Sequence, residues 1–362
     1  MSDATLDDVV YTFDPSIPIE QASTPPASWY TDERIADLEK KTVWNNHWIP
    51  VARVDQVAAT GAYVATQVGD DPVVVVRGKD GVLRAFYNVC THHAACVMAG
   101  QGTTKQMICP YHGWTFDLDG RLRKAPRMAG VQDFNRDDLS LMPMAVESWG
   151  PLVFVCLSDN PPPLQKPLQP LTEALEQTNW MDLTFVAQEI YEVPCNWKVY
   201  ADNYLDGGYH IPTIHPGLNQ DLDMDGYRTE LGPNYSIQWA PSVEGVERVG
   251  TGALYAFVHP NLTLNRYGPV LDINRIIPTS MDRCQVIFDY YFEETEGADA
   301  EAFISESLET SRKVQDEDKD VCHRVQRGLL SRAYDRGRYA PRVEMGEYHF
   351  HGLLAQDYRS GL

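Results

Sequence analysis

Residues 90–112 read Cys90-Thr91-His92-His93-Ala94-Ala95-Cys96-Val97-Met98-Ala99-Gly100-Gln101-Gly102-Thr103-Thr104-Lys105-Gln106-Met107-Ile108-Cys109-Pro110-Tyr111-His112. A Cys-x-His pair is followed, after sixteen intervening residues, by Cys-Pro-Tyr-His. Each half supplies one thiolate and one imidazole. A zinc finger of the usual kind groups its cysteines first and its histidines later. Mixed pairs suit instead a [2Fe–2S] centre in which two thiolates hold one iron and two imidazoles hold the other. On this reading Cys90 and Cys109 go to one iron, and His92 and His112 to its partner. A structural zinc knuckle is the competing reading. His93 is a neighbour with a polar, structural role.

The surroundings fit a cluster-binding pair of loops. Gly100 and Gly102 let the connection turn. Trp114 follows the last ligand closely and offers apolar cover. The second loop has no extra cysteine, and Cys96 in the first has no evident partner. A disulfide between the loops, as in respiratory-chain Rieske proteins, is not expected. In this the pair of loops resembles the oxygenase type of Rieske domain.

A chain of 362 residues can bury a large core and is expected to form two domains. No apolar run reaches membrane-spanning length, and residues 1–20 lack the pattern of a signal peptide. No membrane is therefore expected, and seven cysteines without a disulfide pattern point to a reducing, cytoplasmic compartment. A net charge of −21 argues against nucleic acid as a partner, which requires a basic footprint.

The expected order is an N-terminal arm and helix over 1–45, a β-rich domain over 46–160, and a second domain over 161–362. The Pro-rich residues 1–30 read as an extended arm. Thr31 is the expected cap of a helix running to Asn45. Strands are expected at Tyr63–Val68, Val73–Arg77, Val82–Asn88, Thr115–Leu118 and Pro151–Leu157. The boundary lies in Ser158–Pro170, which carries five prolines. Beyond it come a helix over Leu171–Trp180, a strand over Phe185–Val193 and a helix from Trp197. Strands follow at Tyr235–Trp239, Leu254–Val258, Ile273–Ile277 and Cys284–Phe292. A long helix spans Ala300–Leu330. The fold class is α+β: an N-terminal all-β domain and a C-terminal domain with an antiparallel sheet flanked by helices.

Residues 202–215 hold a second candidate metal site, with His210 and His215 five apart and Pro212 between them. Proline frees the two imidazoles from regular helical spacing. Two histidines and a distant carboxylate form the facial triad of non-haem Fe(II) sites, which leaves positions open for O2. The acidic run Asp316-Glu317-Asp318-Lys319-Asp320 can supply the carboxylate. Spacing alone does not choose among its members, and most of such a run is a solvated face.

With both motifs in one chain, the sequence resembles the Rieske non-haem iron oxygenases of the terminal, α-subunit type, and within them the choline monooxygenases. The stretches carrying the resemblance include Cys109-Pro-Tyr-His-Gly-Trp114, Asp202-Asn-Tyr-Leu-Asp-Gly-Gly-Tyr-His210, Asn265-Arg-Tyr-Gly-Pro269 and Val325-Gln-Arg-Gly-Leu329. The resemblance implies that Asp318, the Asp of a Glu-Asp pair, is the third ligand of the mononuclear iron. It implies that Asp206 bridges His112 of one subunit to His210 of the next, across a homotrimer interface. Many family members have this acid three residues before the histidine, whereas Asp206 is four before His210. His323 stands where a glutamate is expected.

The implied activity is hydroxylation of a small quaternary ammonium compound, choline to betaine aldehyde, with O2 as co-substrate. Electrons would come from a ferredoxin or an NAD(P)H-dependent reductase. Alternatives are N-demethylation or hydroxylation of a betaine, a carnitine-like compound or an arene, and a Rieske electron carrier without oxygenase activity. Tyr255, Phe257, Tyr267, Tyr290 and Tyr291 can supply aromatic faces to a trimethylammonium head or serve as core residues. Arg121, Arg123, Lys124 and Arg127 can steer an acidic electron donor or pair with the protein's own acids.

Overall fold

A computed structural model describes residues 4–243 and 249–362. The chain divides into two compact units, Val43–Lys166 and a larger one formed by Met1–Thr42 with Pro167–Leu362. The N-terminal segment thus belongs to the larger unit rather than standing apart. Among the described residues, no helix is long and apolar enough to cross a membrane.

The smaller unit is built on antiparallel strands: β1 (Ile49–Arg53), β2 (Ala62–Val68), β3 (Asp71–Arg77), β4 (Leu83–Tyr87), β5 (Gln101–Thr103), β6 (Met107–Ile108), β7 (Thr115–Phe116), β8 (Leu122–Lys124), β9 (Pro143–Trp149) and β10 (Leu152–Cys156). Seven form one sheet in the order β1-β10-β9-β4-β3-β2-β5, and β6-β7-β8 form a second. In β3 the run Val73–Val76 is buried on both faces, so the strand reads as a continuous apolar stretch. Thr115–Leu118 is shorter as a strand than expected. The chain leaves it for the turn in which Gly120 N–H donates to Asp117 O.

The larger unit carries β11 (Thr184–Val193), β12 (Arg228–Leu231), β13 (Tyr235–Pro241), β14 (Gly252–Val258), β15 (Leu262–Tyr267), β16 (Val270–Ser280) and β17 (Arg283–Phe292). They form one antiparallel sheet in the order β11-β17-β16-β15-β14-β13-β12. Helices cover it: α1 (Leu6–Val10), α2 (Ser28–Thr31), α3 (Glu33–Asn46), α4 (Gln165–Glu176), α5 (Trp197–Leu205), α6 (Ile211–Ile214), α7 (Pro216–Asp221), α8 (Ala298–Leu329) and α9 (Met345–Ser360). The expected α+β class, an all-β domain plus an antiparallel sheet flanked by helices, is what forms.

Three local readings need correction. The N-terminal arm is not wholly extended, since α1 and α2 interrupt it; Met1–Asp3 lie outside the described residues. Asp32, not Thr31, caps α3: its Oδ1 accepts from Arg34 N–H at 2.9 Å, while the Thr31 hydroxyl donates back to Ala27 O. Helix α4 starts six residues before the expected Leu171. Pro167 is tolerated in its first turn, where an N–H would have no intrahelical partner.

The buried stripe of α8 is Ser307, Ser311, Gln315, Asp318, Cys322, Gln326 and Leu329, spaced by threes and fours. It is mostly polar, so it must be hydrogen-bonded. Gln326 accepts from Asn196 N–H at 2.7 Å, Ser311 meets Tyr290, and Gln315 accepts from the Tyr200 hydroxyl at 2.6 Å. These bonds fix α8 against α5 and β17. Beside them lies a buried charge cluster in which Glu39 takes the Lys198 ammonium, the Trp197 indole N–H (3.0 Å) and the Tyr358 hydroxyl (2.5 Å). Both charged side chains are almost fully buried. Removing one partner leaves the other charge buried and unpaired. Glu39→Ala is therefore expected to destabilise the larger unit by about 3–5 kcal/mol, measured by denaturant unfolding. The double change Glu39→Leu with Lys198→Met should recover most of that loss.

Candidate metal centres and substrate pocket

The two cysteine loops are built alike. Cys90 N–H donates to Ala95 O, and Ala94 N–H donates back to Cys90 O, both at 2.9 Å. Cys109 N–H donates to Trp114 O (2.8 Å), and Gly113 N–H donates back to Cys109 O (3.1 Å). In each loop the residue four past the cysteine has a positive φ, 59° at Ala94 and 71° at Gly113. Asn88 ties down the first loop by accepting from Val97 and Met98 N–H and donating to Met98 O.

This geometry brings Cys90, His92, Cys109 and His112 together. Both thiols are buried, and burial pushes the Cys90 thiol up. The rings of His92 and His112 lie 4.8 Å apart. Trp114 stacks on His92 with centroids 4.6 Å apart, so it covers this site as expected. Burial, followed by the nearby His93 and His112, lowers the His92 pKa and favours neutral imidazole. His92 Nδ1 is buried and has no hydrogen-bond partner among the described residues. A buried acceptor without a partner, beside two thiols, fits a site that binds iron. His93 and His112 are exposed.

The second centre is assembled by α5, the turn after it, the two ends of α6, and α8. Helix α5 ends at Leu205, and Gly207 and Gly208 follow with φ of 70° and 75°. A Cβ on Gly207 would lie 2.1 Å from Val343 O, so only glycine fits there. This turn lets Asp206 reach His210 despite the four-residue spacing. Asp206 Oδ2 lies 2.9 Å from His210 N and 2.7 Å from His210 Nδ1. His215 Nδ1 meets Glu317 Oε2 at 2.8 Å. The Nε2 atoms of His210 and His215 face Asp318 Oδ1, at 3.8 and 3.0 Å. Ligand atoms of His210, His215 and Asp318 all lie within 4.8 Å of one another.

Each imidazole thus has its Nδ1 held by a carboxylate and its Nε2 directed at a third. That is how histidine ligands of metals are usually oriented. Burial lowers the His215 pKa, but the Asp318 and Glu317 carboxylates outweigh it and raise the value. A cation between these groups would relieve the same crowding of negative charge, so the donor set fits iron. Of the acidic run, Asp316 and Asp320 are exposed, Glu317 orients His215, and Asp318 is buried at the centre. Sequence reasoning gave Glu317 no such role. It also missed Asn203, whose Nδ2 donates to Asp318 Oδ1 at 2.8 Å. Asn203 lies in the last turn of α5, three residues before Asp206 at the helix end, and that nearness was the available signal. His323 faces solvent, away from this centre.

A cavity of about 110 Å³ opens on His210, His215 and Asp318. Tyr200, Tyr204, Tyr227, Tyr255 and Phe288 supply its aromatic wall; Asn203, Gln238, Asn265 and Asn274 supply its amides. Burial raises the pKa of Tyr200, Tyr204 and Tyr227, so these phenols stay neutral. Of the aromatics singled out in the sequence, Tyr255 lines the cavity. Phe257 packs on Phe350 and Tyr290 on Phe288, as core residues. Of the basic residues after the second cysteine loop, Arg121 pairs with Asp119 and Arg123 with Asp117.

Comparison with known proteins agrees with both centres. Residues 47–135 match the Rieske [2Fe-2S] domain, and residues 180–360 the ring hydroxylating alpha subunit (catalytic domain). The chain is 42% identical to the chloroplastic choline monooxygenase of Arabidopsis thaliana over 96% of its own length and 85% of that protein. It is 33% identical to the carnitine monooxygenase oxygenase subunit of Escherichia coli (strain K12), over 94% of this chain and 95% of that one. The quaternary ammonium Rieske monooxygenase CntA, solved in complex with L-carnitine, superposes with a TM-score of 0.82 at 29% identity, covering 99% of this chain and 100% of that one. With a Rieske [2Fe–2S] domain and a non-haem iron catalytic domain in one polypeptide, the chain belongs to the Rieske non-haem iron oxygenases and is a monooxygenase of that family.

Proposed function

We propose that the chain is a terminal oxygenase that hydroxylates choline at its alcohol carbon. The product is an aldehyde hydrate, which loses water to give betaine aldehyde. One oxygen atom of O2 enters the substrate, and two electrons and two protons reduce the other to water. The observation that carries this reading is the lining of the cavity beside His210, His215 and Asp318. A quaternary ammonium cannot shed its charge on burial, so it needs aromatic faces or carboxylates. The cavity offers four tyrosines and Phe288. Among its described lining residues there is no lysine or arginine. The carboxylate of a carnitine or a betaine would enter without a counter-charge there, whereas the neutral hydroxyl of choline needs none. Asn274 Oδ1, buried in this wall without a partner, is placed to accept a hydrogen bond from that hydroxyl.

In this reading Cys90, Cys109, His92 and His112 hold the [2Fe–2S] cluster, and His210, His215 and Asp318 hold the mononuclear Fe(II). When bound, the cluster supplies single electrons and the mononuclear iron activates O2. The protein's share is orientation and exclusion of water. Asp206 and Glu317 keep each histidine's Nε2 free for metal, and Asn203 steadies Asp318. Asp206 further links its subunit's His210 to His112 of a neighbouring subunit in a homotrimer. The solved relative described as using inter-subunit electron transfer supports that arrangement. A ferredoxin or an NAD(P)H-dependent reductase is the donor, and exposed His112 is where electrons leave the cluster toward the neighbouring subunit. Seven free thiols suit a reducing, cytoplasmic location.

Choline is expected to drive O2 uptake coupled to betaine aldehyde formation. Its neutral isostere 3,3-dimethylbutan-1-ol should lose about 1–2 kcal/mol in kcat/KM, the scale of a desolvated cation–π contact. Equal turnover of the two would mean that the pocket does not read the charge, and no turnover of choline beside brisk turnover of a carnitine, a betaine or an arene would discard choline as the substrate. Asp206→Asn is expected to keep both metals, by iron content, and to stop turnover; normal activity would remove the bridge. His112→Ala should abolish the electron paramagnetic resonance signal of a histidine-ligated cluster, and an unchanged spectrum would refute that ligand assignment.

A further inference from the structure

Behind the substrate cavity one row of side chains runs straight across the sheet of the larger unit. Gln238 of β13 stands opposite Tyr255 of β14, Tyr255 opposite Asn265 of β15, Asn265 opposite Asp272 of β16, and Asp272 opposite Tyr290 of β17. Residues paired directly across strands share one face of a sheet. Gln238, Tyr255 and Asn265 line the cavity, as does Asn274, two residues past Asp272 and so on the same face of β16. Asp272 itself is not among the lining residues. It is 3% exposed and lies one layer back, behind the amides.

The side chains around Asp272 are arranged as donors. Asp272 Oδ1 accepts from Asn265 Nδ2 at 2.6 Å and from Asn274 Nδ2 at 2.9 Å, and Oδ2 accepts from the Tyr267 hydroxyl at 3.0 Å. Three converging donors suit the ionised carboxylate. An ionised carboxylate only accepts, so it decides which way both amides point. With its nitrogen committed to Asp272, Asn265 turns its oxygen to the Tyr204 hydroxyl, 2.8 Å away in the cavity wall. Asn274 in the same way keeps its Oδ1 for the cavity. The arginines next along these strands, Arg266 and Arg275, point to the other face of the sheet by strand alternation, where Glu293 and Asp289 meet them.

We propose that Asp272 is a specificity-determining residue: from behind the cavity wall it supplies the negative charge that a quaternary ammonium substrate reads, and it holds Asn265 and Asn274 in the orientation that receives the substrate. The inference rests on the reading of this cavity as a quaternary ammonium site. A fixed cation entering the cavity gains from a carboxylate one amide away, because little water lies between them to screen the pair. The substrate does not have to strip that carboxylate of its hydrogen bonds, since Asn265, Asn274 and Tyr267 keep them. Aromatic faces and a recessed charge therefore act together, and neither touches the carbon that reacts. The same charge works against a substrate that brings its own carboxylate into the cavity.

The test measures binding of tetramethylammonium, a quaternary ammonium without a hydroxyl, to the iron-loaded enzyme by titration calorimetry, so it does not depend on turnover. Asp272→Asn keeps the shape and removes the charge. It should weaken tetramethylammonium binding by about tenfold or more, as expected for loss of a poorly screened charge. Binding of the neutral 3,3-dimethylbutan-1-ol should change far less. Asp272→Asn combined with Asn265→Asp returns a carboxylate to the same cross-strand pair, where the Tyr204 hydroxyl and the new amide at position 272 can both donate to it. That double change should recover cation binding, and it keeps the test open if the single variant does not fold. Circular dichroism and iron content are read on both. Unchanged tetramethylammonium binding in Asp272→Asn, equal weakening for the cation and the alcohol, or no recovery in a folded, iron-loaded double variant would overturn the proposal. Absence of choline turnover by the native enzyme, with tetramethylammonium binding still lost in Asp272→Asn, would discard choline and uphold the role of Asp272.

Discussion

The larger unit depends on holding a carboxylate, Asp318, inside a folded core beside two imidazoles. A buried carboxylate is costly unless its lone pairs are occupied. Asn203 donates to one oxygen, and the Nε2 atoms of His210 and His215 face that same oxygen. Those histidines are aimed in turn by Asp206 and Glu317. Satisfying one group therefore fixes five others, drawn from α5, the turn after it, the ends of α6, and α8. The polar inner stripe of α8 follows from the same need. An apolar stripe would pack more simply but would leave Asp318 without the polar helix-to-helix contacts that locate it.

Much of this was legible in the chain, for identifiable reasons. The Cys-x-His and Cys-x-x-His motifs are local, and local motifs survive any tertiary rearrangement. The long helix near 300–330 and most sheet strands announced themselves through length and β-branched runs. The third ligand was less legible, because one helix carries four acids within five residues. The periodicity that separates them was present. Cys322 and Leu329 are buried, and stepping back from them by fours and threes arrives at Asp318 rather than Asp316 or Asp320. Glu317 escaped that logic, because it approaches His215 from the edge of the stripe.

Other features could not be read locally. The cap of α3 shifted from Thr31 to Asp32 because Thr31 closes a short preceding helix, and competition between adjacent elements is settled by packing. The aromatic residues were visible by composition, but strand register decides which face each occupies. Tyr255 pairs with Gln238 and Asn265, which line the same cavity, whereas Phe257, two residues on, lies beyond it against Phe350. A sheet places its residues only when its partners are known.

The two cysteine loops show how a small motif can be specified twice. Both use the same pair of backbone bonds around the cysteine, and both need a left-handed residue four positions later. The second loop meets that need with Gly113, for which the conformation is inexpensive. The first uses Ala94, at roughly 1–2 kcal/mol for an L-residue. The strain persists because Asn88 clamps the far end of that loop with three hydrogen bonds, leaving no relaxed alternative. The loops differ in the position of histidine, second after Cys90 and third after Cys109. One added residue turns a side chain to a different side of a tight turn. The half-buried ring of the first loop therefore stacks on Trp114, while the ring of the second faces water, and a pair of near-identical turns yields one sheltered imidazole and one exposed.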